Sequence, residues 1–406
     1  MSDAPGRYLQ LGLRLGRHVD GLVDAYYGPA EIKERVESEE LRDPADLARD
    51  AGALLEDLDG LEERRRTWLR AQLVGAETVA RRLAGEEVPY ADEVERCYGI
   101  RPERVPEARF ETVHAALDDL LPGDGSLAER FQAWRDTNTL SGDQLARVID
   151  SLAADLRVRA ERLLGLPEGE AIEFDYVTDE PWAAFNYYQG GLRSRVAVNT
   201  DTPLTPAFLI GLVAHEAYPG HHTEHAWKER VLVDEGGVLE ESIFLIGTPQ
   251  SLVSEGIASL GSEITLGEDE QQMAAEHVRD TGIPFDPELS GAVSEAAQPL
   301  GGVSTNVALM LHEDGRSEEE AFAYLKRWGL TSDKRAKQGV RFMTDPVWRS
   351  YITTYTDGYR ICKAFVDGDP ERFKRLLTEQ LTPAEIQAAA SGQPGGSSSD
   401  PLPGAR

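Results

Sequence analysis

Apolar residues recur every three or four positions, with charged faces between them, through residues 6–27, 44–83, 109–134 and 141–164. That spacing predicts amphipathic helices. In the last stretch Leu145, Val148, Ile149, Leu152, Leu156 and Leu163 carry the apolar side. Short Pro/Gly segments such as Leu121-Pro122-Gly123-Asp124-Gly125 punctuate the helical runs. After Gly165 the pattern changes. Residues 172–177 and 183–189 read as extended, and Gly190-Gly191 can turn the chain into a third run over 193–199. A small antiparallel sheet is expected there, whose edge either adds an extended peptide through main-chain hydrogen bonds or caps a helical domain. Thr205-Pro206 predicts the next helix start, a hydroxyl cap followed by proline in the first turn. Phe208, Leu209, Ile210, Leu212, Val213 and Ala214 make that helix apolar on every side, as in a central buried helix. Helical character resumes to about residue 390, and residues 391–406, rich in Gly, Ser and Pro, read as a disordered tail. The expected fold class is mainly α and two-lobed. Residues 1–165 form a helical lobe, and residues 166–390 form a second lobe carrying the small sheet.

The buried helix runs into His215-Glu216-Ala217-Tyr218-Pro219-Gly220-His221-His222, and with His225 this places four of the eight histidines within eleven residues. Zinc accepts neutral imidazole nitrogens and, where catalytic, keeps three protein ligands and an open position. A carboxylate beside the first histidine, here Glu216, sits where a general base for a zinc-activated water belongs. The spacing differs from the i, i+4 pair of the usual HExxH helix. On a regular helix His215 and His221 would be separated by a rise of about 9 Å and a rotation of roughly 120°. Pro219 cannot donate to the carbonyl of His215, and its ring crowds that carbonyl, so a kink or widened turn is expected inside the motif. Gly220 permits backbone angles that other residues resist. On an unbroken helix His222 would share the face of His215 but lie about 10.5 Å along the axis, so angle favours one histidine and reach the other.

The HExxPGHH run resembles the signature of a large bacterial family known as domain of unknown function 885, whose fold is similar to that of carboxypeptidase Taq and related glutamate-zincin peptidases. Further elements match: Val198-Asn199-Thr200 before the motif, Glu255-Gly256-Ile257-Ala258 after it, Leu311-His312, and Thr354-Tyr355-Thr356-Asp357-Gly358. The resemblance covers roughly residues 170–365. It implies a mainly α metallopeptidase fold and one zinc ion held by His215, His221 and Glu255. It further implies Glu216 as general base, with Tyr355 or His312 stabilising the oxyanion. Two departures, Ile257 in place of a tryptophan and Leu260 where a tyrosine follows, bear on the shape of the substrate cleft. Other readings of these residues stay open. Glu240 and Glu241 compete with Glu255 as third ligand, His312 reads equally as a core histidine, and Tyr355 lies in an aromatic stretch with Tyr351 and Tyr359 where core packing is as good an account.

The formal net charge of −30 argues against nucleic acid and anionic membranes as partners, because phosphate binding needs concentrated Lys and Arg. No apolar run approaches the roughly 20 residues of a membrane span, and the first residues lack the basic and apolar regions of a signal peptide. Two cysteines make no disulfide framework. A cytoplasmic location is expected. The partner expected is a peptide or small-molecule substrate, while nothing in the chain specifies an oligomeric state. Arg341, Arg349 and Arg360 are candidates to clamp a substrate carboxylate, against ordinary structural pairing. The function expected is zinc-dependent hydrolysis of peptide bonds. The alternatives are a zinc- or peptide-binding protein without turnover, and a hydrolase of non-peptide amides or esters.

Overall fold

The computed structural model describes residues 4–140, 142–179, 182–201, 204–346 and 348–392. The expected tail lies, apart from Ser391 and Gly392, outside the described residues. Helices dominate, as the apolar spacing requires, and the fold class is mainly α. Among the described residues no helix is long and apolar enough to cross a membrane.

Three strands precede the motif as expected, β2 (Ala171–Val177), β3 (Ala184–Gly190) and β4 (Arg193–Asn199), following β1 (Val23–Tyr26) and preceding β5 (Ile243–Leu245). The Gly190-Gly191 turn joins β3 to β4 as an antiparallel pair, and both glycines take positive φ. The expectation of a wholly antiparallel sheet is corrected. The order is β2-β4-β3, and β2 pairs parallel with β4. β2 therefore enters the sheet on the far side of β4 instead of forming a hairpin with β3. A second, two-stranded sheet pairs β1 with β5, more than 200 residues apart in sequence.

Two large apolar cores organise the chain. One joins Val148, Leu152 and Leu156 of the helix Gly142–Leu164 to Val196 and Val198 of β4 and to Leu209, Ile210 and Val213 of the helix Pro206–Glu216. The other packs Tyr8, Leu9, Leu69 and Leu73 from the N-terminal helices against Leu252, Ile257, Ile361 and Phe365. Each core therefore draws on chain from both sides of residue 165. Thr205 caps the helix Pro206–Glu216, accepting from the Phe208 N–H, and Pro206 occupies its first turn. Phe208 is 53 % exposed, so this helix is buried on most faces but not on all.

The helix Pro249–Leu266 meets the helix Ile352–Val366 backbone to backbone. A Cβ on Gly256 would stand 2.4 Å from the Gly358 carbonyl oxygen, and one on Gly358 would stand 2.4 Å from that of Leu252. No side chain fits at either position. This contact brings Glu255 on the first helix beside Tyr351 and Tyr355 at the start of the second.

Candidate metal centre

Inside the motif the structure shows a full break where a kinked helix was expected. The helix Pro206–Glu216 ends at Ala217 (φ −114°, ψ −92°), and a new helix, His221–Lys228, starts after Gly220. The Tyr218–Pro219 peptide bond is cis. The Gly220 N–H donates back to the Ala214 carbonyl at 2.9 Å. A Cβ there would lie 1.9 Å from the His215 carbonyl oxygen, so only glycine permits the return. The break turns the i, i+6 pair into neighbours, His215 near the end of one helix and His221 first in the next. Their ring centroids are 4.6 Å apart and the planes cross at 88°.

Glu255 completes the group. His215 Nε2 stands 3.4 Å from Glu255 Oε2, and His221 Nε2 stands 4.0 Å from Oε1. The three potential ligand atoms all lie within 4.8 Å of one another. Tetrahedral zinc with ligands at about 2.0–2.1 Å needs donors roughly 3.4 Å apart, close to the spacing present. The Tyr351 hydroxyl donates to Oε1 at 2.5 Å. Oε2 is buried without any hydrogen-bond partner. An orphaned carboxylate oxygen facing a histidine nitrogen is a costly arrangement, and a cation between them would satisfy it.

Surrounding groups set the protonation states that a metal needs. Burial, then the neighbouring His221, holds His215 well below the ordinary histidine range, and burial takes His221 down to about 4. Both rings are therefore neutral at pH 7. His221 Nδ1 lies 3.1 Å from Ser254 Oγ, and the Ser254 hydroxyl donates to Glu224, which also pairs with Lys228 at 2.7 Å. Burial works to raise the Glu224 pKa, but Lys228 prevails and lowers it. Glu224 thus accepts, and the single hydroxyl proton of Ser254 is used on it. Ser254 Oγ must then accept from Nδ1–H of His221, which leaves Nε2 as the free lone pair facing Glu255.

Glu216 is buried beside the group, and the Asn186 side chain on β3 donates to its backbone carbonyl at 2.6 Å. Burial, then the charges of Glu255 and Asp24, push Glu216 up to about 8. Burial likewise takes Glu255 to about 8. A cation in the group would reverse both shifts. Tyr355 is 41 % exposed, and its ring packs edge-on to Tyr351 at 5.6 Å. Its hydroxyl lies close enough to Glu255 and Glu216 to feel their charges.

Other candidates fall elsewhere. His222 is 0 % exposed. It bonds Ser194 Oγ at 2.8 Å through Nδ1 and Glu170 Oε2 at 2.9 Å through Nε2. Glu170 also takes the Tyr218 hydroxyl and Arg157. Burial works against its ionisation, but hydrogen bonds from His222 and Tyr218 prevail and hold it at about 2. His312 is not brought to the group. Its Nε2 meets the Met343 carbonyl at 2.7 Å and its ring stacks on Tyr90, so it is the core histidine of the alternative reading. Glu240 pairs with Arg65, and Glu241 lies beside Gln250. Arg349 pairs with Glu93 and Arg360 with Asp357. Tyr351, Ser254 and Asn186 belong to the site without having been singled out. The aromatic stretch around Tyr355 was a usable signal for Tyr351, and the residue before Glu255 one for Ser254.

No family model matches this chain, and no curated protein matches it. Among solved structures, the chain superposes on the "putative lipoprotein from Colwellia psychrerythraea" with a TM-score of 0.51 at 16% identity, over 85% of this chain and 66% of that one. A "putative lipoprotein of unknown function from Shewanella oneidensis" gives 0.50 at 12% identity, over 92% and 76%. The chain thus spans about two thirds of the Colwellia protein's length, and at these identities the likeness is one of fold.

Proposed function

We propose that this protein is a zinc-dependent hydrolase acting on peptide bonds, with His215, His221 and Glu255 holding the metal. The observation that carries the reading is the buried, unpartnered Oε2 of Glu255 beside the neutral His215 ring, with the neutral His221 ring near the other oxygen of the same carboxylate and Glu216 alongside. Zinc in such a place supplies Lewis acidity, polarising a carbonyl and acidifying water. Glu216, ionised in the presence of the cation, takes the proton of the attacking water at its carboxylate and returns it to the leaving amine. Asn186 fixes the backbone at Glu216 and so aims that carboxylate. Tyr355 donates a hydrogen bond from its hydroxyl to the oxygen on which charge develops. Tyr351 holds the rotamer of Glu255. An extended substrate lies along β3, an edge strand of its sheet that reaches the motif through Asn186.

Metal content and turnover test this together. The purified protein carries about one zinc per chain and cleaves members of a mixed peptide library. Glu216→Gln keeps its zinc while turnover falls by roughly 10²–10⁴-fold, as for a positioned acid/base group. Folded protein that takes up no zinc at neutral pH removes the reading. Zinc uptake without hydrolysis of any peptide points to a binding protein of the same architecture.

A further inference from the structure

Strand β1 pairs with β5 at Val23, Ala25 and Tyr26, and the register slips by one residue between Val23 and Ala25. Asp24 is the extra residue. An insertion of this kind bends a strand and re-aims a side chain, and it recurs next to active sites. Here the re-aimed group is a carboxylate whose charge is felt by Glu216, Glu255 and Tyr351. Asp24 therefore lies near enough to the base and to the candidate ligand Glu255 for its charge to act on them.

Asp24 is partly buried, and burial alone pushes its carboxyl up to about 7. Among the described residues none gives it a hydrogen bond or an ion pair. It is not within ligand distance of the metal group, which comprises His215, His221 and Glu255. A cavity of about 350 Å³ opens at Asp24 and runs past Gly16, Tyr26 and Tyr188. Arg17 and Lys33 also line it, yet Arg17 is used on the Val36 carbonyl and neither pairs with Asp24. A third carboxylate beside Glu216 and Glu255 costs stability in a low-dielectric cleft unless something cationic meets it. It lies outside the metal group and no Lys or Arg among the described residues pairs with it, so its carboxylate is left open to a cationic group of the substrate.

Resting on the peptidase reading above, we propose that Asp24 receives a cationic nitrogen of the substrate, in the first place the free amino terminus of a short peptide. The enzyme would then select peptides by that end and cleave near it. A Lys or Arg side chain offers the same chemistry, and the test separates the two sources.

Equilibrium binding to the zinc-loaded Glu216→Gln protein is measured for tetra-alanine, N-acetyl-tetra-alanine and N-acetyl-Lys-Ala-Ala-Ala. Tetra-alanine binds about tenfold or more tighter than its acetylated form, in keeping with a desolvated charge pair. Adding Asp24→Asn removes that difference and leaves the acetylated peptide's affinity unchanged. If the acetyl-lysine peptide is the one that binds tightly and loses affinity with Asp24→Asn, the nitrogen recognised is a side chain's. The proposal is overturned if all three peptides bind alike or not at all, or if the preference survives Asp24→Asn. An equal loss for all three peptides, the mark of a structural role, overturns it as well. Zinc content and circular dichroism of the Asp24→Asn protein establish that it is folded. The hydrolase reading fails separately, when the wild-type zinc protein leaves every peptide intact while the preference for the free amine stands.

Discussion

Glu93, Glu170, Glu224 and Glu240 are buried and each meets a cation, from Arg82 and Arg349, Arg157, Lys228 and Arg65 respectively. Glu216, Glu255 and Asp24 lie close enough to act on one another electrostatically, and no Lys or Arg among the described residues pairs with them. The two sets share a side-chain chemistry and differ in whether the protein itself completes it. Where it does, the carboxylate is part of the architecture, since removing one partner of a buried pair costs several kcal/mol. Glu229 and Glu241 are buried without an ion pair as well but take hydrogen bonds from Tyr188 and Gln250, so it is their place beside the candidate ligands that leaves Glu216, Glu255 and Asp24 for a group from outside. The motif repeats this contrast between adjacent residues. His222 is enclosed by Ser194 and Glu170, while His221 uses one nitrogen on Ser254 and leaves the other free.

The largest effect should appear on exchanging these two histidines. His221→Ala loses tightly bound zinc and with it turnover. His222→Ala keeps zinc, and its cost appears as thermal stability, roughly 1–3 kcal/mol for unpairing buried hydrogen-bonding groups. Elemental analysis and thermal melts of the two folded variants check this. Zinc retained by the first and lost by the second would erase the distinction between the enclosed and the open half of the motif.

A smaller effect belongs to Ser254, which joins the completed set to the incomplete one. Ser254→Ala frees His221 to adopt the other tautomer, and zinc affinity should fall about 10–100-fold, the usual range for a group that orients a metal ligand. Competition with a zinc chelator measures it. An unchanged affinity would mean that Glu224 and Lys228 serve only the core.

A further effect is a slope with pH. In metal-free protein Glu216 and Glu255 titrate at about 8, against 4.5 for the ordinary group. Between those values the folded state holds more protons than the unfolded one, so stability falls as pH rises from about 4.5 to 8. Zinc, by favouring the ionised forms, flattens that fall. Melting temperatures across this window, with and without zinc, test the sign.

Local patterns carried much of this into the sequence. Thr205-Pro206 marks a helix start because hydroxyl capping and proline tolerance act within one turn. Gly190-Gly191 marks a hairpin for the same local reason. What stayed hidden depends on distant chain. The parallel β2–β4 pairing skips a strand, and β1 meets β5 across more than 200 residues, so neither leaves a short-range trace. Asp24 looks like an ordinary surface acid until its bulge is seen. Pro219-Gly220 signalled a disturbance, but whether the helix bends or stops depends on the space beside the His215 carbonyl. His312 next to Glu313 imitates the first two residues of the motif, and only its contacts with Met343 and Tyr90 separate it from the site.

Gly256 and Gly358 let two helices touch without side chains between them. Side-chain contacts can yield by changing rotamer, whereas two backbones in contact form a hard stop with no adjustable part. Glu255 is the residue immediately before that stop, and Tyr351 lies two turns before it on the facing helix. The distance between the carboxylate and the phenol that holds it is therefore gauged by the stop itself. Changes elsewhere in the core can alter how firmly the helices are pressed together while leaving their separation at this point unchanged.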